Sequence, residues 1–294
     1  MMKSENTGRW LFPYAYNILG TVDDAKDVIQ SVLLTMLGKG IENFDKTDNP
    51  HKNYLIKSVI NGAVNLKEKQ QRIVSDDNIW LPEPVATGDL PGDELEMQEV
   101  LSYSLLVLME KLNAKERAVF ILSESFDYPH NEIAEVLGIT EENSRKLLSR
   151  ARQALFKPAE AKHTPPSQRD REVLQQLVQA IRERDTAKLH TLVTSDIQYY
   201  GDGGGKIPIA ASYMAGAENV IALQILAYHK FLTKARLEYV TINHQPAMVS
   251  YIGKYLTGCQ IFDLHPITGQ VMQISVMLDP LKLKSLNKSI NKTE

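Results

Sequence analysis

The chain of 294 residues has one cysteine, Cys259, so no intramolecular disulfide can form, and neither a cysteine zinc cluster nor a paired redox motif can be assembled. No metal and no cofactor are expected, and Cys259 reads as a small buried hydrophobe. Long apolar runs are also missing: nothing approaches the roughly 18 residues of a membrane-spanning helix. The start, MMKSENTGRWLF, has no apolar core followed by a small-residue cleavage site. The expected compartment is the cytoplasm, with no membrane partner. There is no excess of positive charge either, since 33 Lys and Arg stand against 36 Asp and Glu, a net charge of −3. Such a chain does not coat nucleic acid indiscriminately, and any contact with it must come from local patches. At 43% hydrophobic and this length, more than one core is expected, about two domains.

Two basic patches are present. Lys67, Lys69 and Arg72 form one, and Arg145, Lys146, Arg150, Arg152 and Lys157 form the other. Apart from Lys157, which follows it, the second falls inside YPHNEIAEVLGITEENSRKLLSRARQALF (128–156). There Ile133, Ala134 and Leu137 mark one helical face, Gly138 supplies freedom for a tight turn, and Thr140 can cap a second helix. Glu141 and Glu142 lie in that helix's first turn, where the dipole favours negative charge. Leu148, Ala151 and Leu155 recur at steps of three and four, leaving Asn143, Arg145, Lys146, Ser149, Arg150 and Arg152 on other faces. One face to pack and one face of amide and guanidinium groups is the division a DNA-reading helix-turn-helix needs. An ordinary helical hairpin with a solvated basic face is the alternative.

From the N-terminus, 10–19 reads as a short helix ending at Gly20. TVDDAKDVIQSVLLTML follows, with Thr21 or Asp23 as cap, an apolar stripe from Ala25 to Met36, and a polar side of Asp23, Asp24, Asp27 and Gln30. A third helix spans 54–72, with the first basic patch at its end. Periodicity stops over 75–93, where SDDNIWLPEPVATGDLPGD marks a linker. Trp80 and Leu81 need apolar cover that this proline-held stretch does not provide, so WLPEP is expected to dock. Helices resume over 95–112 and 114–124. A second break, PAEAKHTPPSQRD, precedes a helix capped by Ser167, a shorter one from Thr186 and a third over 217–232. A curved antiparallel sheet follows, together an α+β cone.

LG-x-x-x-DA-x-DV-x-Q at 19–30, NP-x-x-x-YL at 49–55 with Asn61 following, and EIAEVLGI with SRAR within 132–152 resemble regions two and four of extracytoplasmic-function (ECF) RNA polymerase sigma factors. WLPEP at 80–84 and DGGGK at 202–206 are similar to motifs of the subgroup with a fused C-terminal SnoaL-like domain. DPLKL at 279–283 partly matches a third such motif, NPDKL. The resemblance implies a multi-domain fold of two all-α sigma domains and a C-terminal α+β SnoaL-like cone. Its divisions are region two at 1–74, a linker at 75–94, region four at 95–157, a linker at 158–166 and the cone at 167–294. It implies core RNA polymerase and promoter DNA as partners and a cone that can hold a small molecule. Carried over by position, Asp24, Asp27 and Gln30 grip core polymerase. Asn61, Lys67, Lys69 and Arg72 fall in the segment that melts and reads the minus-ten element, and Asn143 to Arg152 in the helix for the minus-thirty-five element. Trp80, Leu81, Pro82, Glu83 and Pro84 with Asp202, Gly203, Gly204, Gly205 and Lys206 form a regulatory contact. Lys26 and Ser31 stand where acidic residues are usual, Asn65 where Asp is usual, and Ser144 where Val is usual, which predicts a looser recognition helix.

DGGGK is not a phosphate-cradling loop, because Ile207 follows Lys206 where such a loop needs Ser or Thr. Its glycines permit close backbone approach, with Asp202 and Lys206 fixing the loop across its mouth. The competing classes are a SnoaL-like cyclase or isomerase fused to a DNA-binding module, and an operator-binding dimeric regulator. The first would draw on Asp202, His229, His244, Asp263, His265, Tyr199 or Tyr239. The second would need two half-sites about one DNA turn apart.

Overall fold

The computed structural model describes residues 8–42, 44, 50–71, 80–87, 97–155 and 166–290. Arg72, Lys157, residues 75–79 and 88–94 of the first linker and 158–165 of the second lie outside these. The chain divides into two units: Met1–Ser75, Pro91–Leu101 and Leu105–His163 form the first, and Asp76–Leu90, Ser102–Ser104 and Thr164–Glu294 the second.

In the first unit a 3-10 turn at Arg9–Leu11 leads into α1 (Phe12–Leu19), which stops where Gly20 takes φ +78°. The helices α2 (Val22–Leu37) and α3 (Lys52–Gln71) pack on α1. Ala25, Ile29 and Met36 of α2 and Leu55, Val59, Ile60 and Ala63 of α3 are buried with Leu11, Ala15, Ile18 and Leu19. Gly62 sits where α2 and α3 come closest, since a Cβ there would stand 2.9 Å from Val28 Cγ1. Further on come α4 (Tyr103–Leu108), a 3-10 turn at Met109–Lys111, α5 (Ala114–Glu124), α6 (His130–Leu137) and α7 (Glu141–Leu155). A reciprocal box caps α5: Asn113 accepts from Glu116 N, and the Glu116 carboxylate accepts from Asn113 N. Of the helix expected over 95–112, residues 95–96 lie outside the described ones, Met97 is helical, 98–102 are turn and loop, and helix resumes as α4 and its 3-10 turn. The first two residues of α4 belong to the second unit, where Gln245 Oε1 accepts from Ser104 N at 2.9 Å and Tyr103 donates to Pro82 O at 2.6 Å. Within the first unit α5 packs on α7, α1 and α3, and α3 also meets α6.

The second unit places α8 (Gln168–Glu183), α9 (Thr186–Leu192) and α10 (Ala217–Ala227) against a six-stranded sheet. Ser167 and Asp170 close a capping box on α8, and α10 runs on into a π turn at Tyr228–Leu232. The strands are β1 (Val193–Asp202), β2 (Tyr213–Ala215), β3 (Arg236–Ile242), β4 (Gln245–Ile252), β5 (Tyr255–Leu264) and β6 (Val271–Met277), in the order β2-β1-β6-β5-β4-β3. The sheet is not wholly antiparallel as expected, because β1 pairs with β6 in parallel, Tyr199 opposite Ile274. A parallel pair needs a long connection, which the helix and four strands between them provide. Leu174, Leu177, Val178, Val220 and Ile221 meet Ile197, Tyr199, Met248, Phe262, Ile274 and Val276 on the inner face. The alternate residues Ala247, Val249, Cys259, Ile261, Ser275 and Met277 are buried too, and α11 (Pro280–Ile290) packs on β5. Sheet residues are therefore apolar in continuous runs rather than strictly alternating.

Candidate functional site

Gly138 takes φ +64° between α6 and α7, and the Thr140 hydroxyl accepts from Asn143 N at 3.2 Å to cap α7. Leu147, Leu148, Ala151 and Leu155 turn inward, while Asn143, Arg145, Lys146, Ser149, Arg150 and Arg152 are exposed. Three of these cations have carboxylate partners: Arg145 with Glu141 at 3.1 Å, Lys146 with Glu142 at 2.6 Å and Arg152 with Glu124 at 2.6 Å. Exposed pairs of this kind contribute little, so phosphate oxygens can replace the carboxylates at small cost. Ser144 does not loosen α7. It is fully buried, and its hydroxyl lies 2.8 Å from His130 Nδ1, tying the two helices together.

On α2, Asp27 and Gln30 are exposed, whereas Asp24 is engaged: its Oδ2 accepts from Thr21 at 2.6 Å and from Gln70 at 2.8 Å. Leu34 and Leu37, at the same helical spacing beyond Gln30, are 68% and 47% exposed and extend that row as an apolar ridge. The α3 residues differ among themselves. Asn61 Nδ2 donates to Val136 O of α6 at 2.8 Å, and Lys57 stands 3.6 Å from Glu135. Lys69 is exposed. Lys67, expected in a basic surface patch, is instead buried, with its Nζ 2.8 Å from Glu110 Oε2 and 3.3 Å from Leu19 O. Arg117, fully buried, pairs with the same carboxylate and donates to Asn17 O at 2.8 Å. Burial alone would raise the Glu110 carboxyl, but Arg117 and Lys67 outweigh it and hold it below the ordinary carboxylate range.

Within the second unit, residues 80–87 form a strap on the cone. Leu81 is fully buried, and its N–H donates to Asp202 Oδ2 at 3.1 Å. Lys282 Nζ reaches the same oxygen at 2.6 Å, donates to Leu81 O at 2.5 Å, and lies 4.4 Å from the Trp80 ring centroid. Asn243, in the turn between β3 and β4, accepts from Val85 N at 2.9 Å and donates back to Val85 O at 2.8 Å. Asp202 Oδ1 accepts from Gly204 N at 2.7 Å, so one carboxylate holds both loop and strap. Lys206 does not close the loop; it is exposed, and Lys282 takes its place. Sequence reasoning missed Lys282. The available signal was its place in DPLKL, whose Asp279 caps α11 through Leu281 N at 2.9 Å.

The candidates for a catalytic cone are scattered. Asp202 serves the strap, Asp263 accepts from Gln245 at 2.7 Å, and His265 Nδ1 accepts from two turn N–H groups. His244 sits at φ +59° in a turn and His229 in the π turn. Burial raises Tyr199 to about 12. Among the described residues no group of three or more His, Cys, Asp or Glu is placed to hold a metal, and no helix is long and apolar enough to cross a membrane.

A helix-turn-helix with an outward basic row, preceded by a three-helix bundle with an acidic and amide row, defines a sigma-70-type transcription factor. Residues 5–73 match Sigma-70 region 2 and residues 102–155 match Sigma-70, region 4. The ECF RNA polymerase sigma factor SigJ of Mycobacterium tuberculosis is 31% identical over 215 residues, covering 72% of this chain and 67% of SigJ. The probable ECF RNA polymerase sigma factor SigI of the same species is 22% identical over 289 residues, 96% of this chain and 93% of its own. The crystal structure of SigJ is similar with a TM-score of 0.71 at 25% identity, covering 94% of this chain and 95% of SigJ. The chain belongs to the ECF RNA polymerase sigma factors. Its C-terminal part is an α+β fold of helices packed against a six-stranded sheet.

Proposed function

We propose that this sigma factor grips core RNA polymerase through the α2 row, reads promoter DNA through α3 and α7, and is restrained by its own C-terminal domain. The observation that carries the reading is the outward division of α2 and α7: Asp27, Gln30 and Leu34 on one, Asn143, Lys146 and Arg150 on the other. Restraint follows from chain connectivity. The strap lies between α3 and α4, so holding residues 80–87 on the cone shortens the free tether between region two and region four. Asn61 and Lys67 are meanwhile satisfied by Val136 and Glu110, so a closed first unit withholds both from DNA. The inner face of the sheet is filled by apolar side chains, which favours a contact role for the cone over a ligand-holding or catalytic one.

Capture of the full chain by purified core polymerase tests the first part. Asp27→Lys is expected to abolish capture, an effect beyond the fraction of a kcal/mol that a lone surface charge would give. Unchanged capture would remove α2 from the polymerase interface.

A further inference from the structure

Beside the recognition row lies a groove of about 460 Å³, lined by His130, Arg145, Leu148, Ser149, Arg152 and Gln153. Its floor is the Leu148 side chain, buried in the hairpin, and its rim carries two guanidinium groups. Each is held by a carboxylate, the exposed Glu141 or the half-buried Glu124, a partner that a stronger anion can displace. His130 is half-buried at the first position of α6, and Nδ1 is committed to the Ser144 hydroxyl at 2.8 Å. With that hydroxyl donating, Nε2 carries the ring proton and is the nitrogen left for a ligand; in the imidazolium it donates as well. A buried serine is an unusual choice for an apolar helix face, since burying a hydroxyl without a partner costs about 1–3 kcal/mol. The imidazole removes that cost, and the same bond fixes the ring toward the groove.

We infer that this groove seats one backbone phosphate of promoter DNA, with His130 Nε2 as a donor to it and Ser144 as the residue that positions the imidazole. The inference rests on α7 being the recognition helix. In a helix-turn-helix the first helix crosses the sugar-phosphate backbone while the second enters the major groove, so a donor at the start of α6 beside Arg145 and Arg152 faces the backbone. A planar pair of guanidinium groups and a ring N–H offer a phosphate several donors at once. A base edge, by contrast, would need an extended side chain from α7 itself.

The test uses full chain bound to core polymerase and a promoter duplex enriched from a randomised library by the unsubstituted holoenzyme. Neutral methylphosphonates replace single phosphates, one at a time, along the minus-thirty-five backbone, and affinity is read by fluorescence anisotropy. The parent is expected to lose about tenfold at one backbone position, the size of one hydrogen bond to a charged group. His130→Ala should bind the unmodified duplex about tenfold more weakly and lose clearly less than the parent from the methylphosphonate at that position, the remaining loss belonging to the two guanidinium groups. His130→Gln, which retains a donor, should recover part of the affinity and keeps the test alive if the alanine variant folds poorly. Ser144→Val should weaken binding about threefold in the parent and not at all in the His130→Ala background, as coupled residues do. Arg150→Ala is measured in parallel. If it and His130→Ala both bind like the parent, the recognition-helix reading fails. If Arg150→Ala weakens binding while His130→Ala binds like the parent, or loses as much as the parent at every methylphosphonate, the phosphate site is overturned. Equal losses from Ser144→Val in both backgrounds would overturn the positioning role.

Discussion

A lysine at the end of an amphipathic helix reads as a solvated cation, and for Lys69 that holds, whereas Lys67 two residues earlier is sealed inside the first unit. The difference was not legible in sequence, because Lys67's counter-charge, Glu110, is 43 residues away and shared with Arg117, itself fully buried. Removing the carboxylate that Lys67 and Arg117 share is expected to cost about 3 kcal/mol, so Glu110→Gln should melt well below the parent. The same pairing sets a pH dependence. The folded-state carboxyl lies below its unfolded value of about 4.3. Its contribution is therefore complete above that pH and lost as pH falls through the folded value. Thermal melts between neutral and acid pH should show this loss in the parent and a flatter profile in Glu110→Gln. At the recognition row the sequence was more direct, since exposure follows from helical spacing. Arg150→Ala is expected to weaken promoter binding by about 1 kcal/mol with the melting temperature unchanged; parental affinity would take α7 off the DNA.

At the scale of elements, the helices of the first unit were legible because their apolar residues recur at three and four and their caps are local: Gly20, Asn113, Gly138 and Thr140 all act within a turn. The helix-turn-helix partner of Ser144 was not, since His130 is 14 positions away and only the fold brings it near. The glycine loop was half legible. Close approach was expected from three consecutive glycines, but the partner was assigned to the neighbouring Lys206 when the fold supplies Lys282, 80 residues on. Two of those glycines separate approach from backbone strain. Gly204 and Gly205 have φ +61° and +68°, but a Cβ on Gly204 would stand 2.3 Å from the Asp279 carboxyl carbon, while one on Gly205 meets nothing within 4 Å. Gly205→Ala should therefore lose about 1 kcal/mol from conformation alone, and Gly204→Ala clearly more, by disturbing the cap of α11. Denaturant unfolding followed by tryptophan fluorescence checks this, because Trp80 lies against Lys282, which follows that cap. Equal losses would mean that the loop moves aside freely.

For the whole molecule, the proposed restraint rests on chain continuity, since the ends of the strap are covalently joined to region two and region four. Within one chain effective concentrations are on the order of millimolar, so a contact of modest strength stays populated, and under the proposed restraint a shift of a few kcal/mol would move the balance between closed and open sigma regions. The pair at the centre of the strap is largely shielded from water, with side-chain exposures of 8% for Asp202 and 11% for Lys282. Removing either partner leaves a shielded charge uncompensated, which costs several kcal/mol and frees Leu81. The lone Cys259 is buried, and burial pushes its thiol well above the usual range, so cysteines introduced into strap and loop can be read without background. The most direct measurement is run-off transcription by purified core polymerase with the full chain against its Asp202→Ala and Lys282→Met variants, each checked for an intact fold by circular dichroism. Output higher than the parent in both variants, and restored restraint when strap and loop are joined by an engineered disulfide, is the expected result; parental or lower output in both, with the fold intact, would contradict the account.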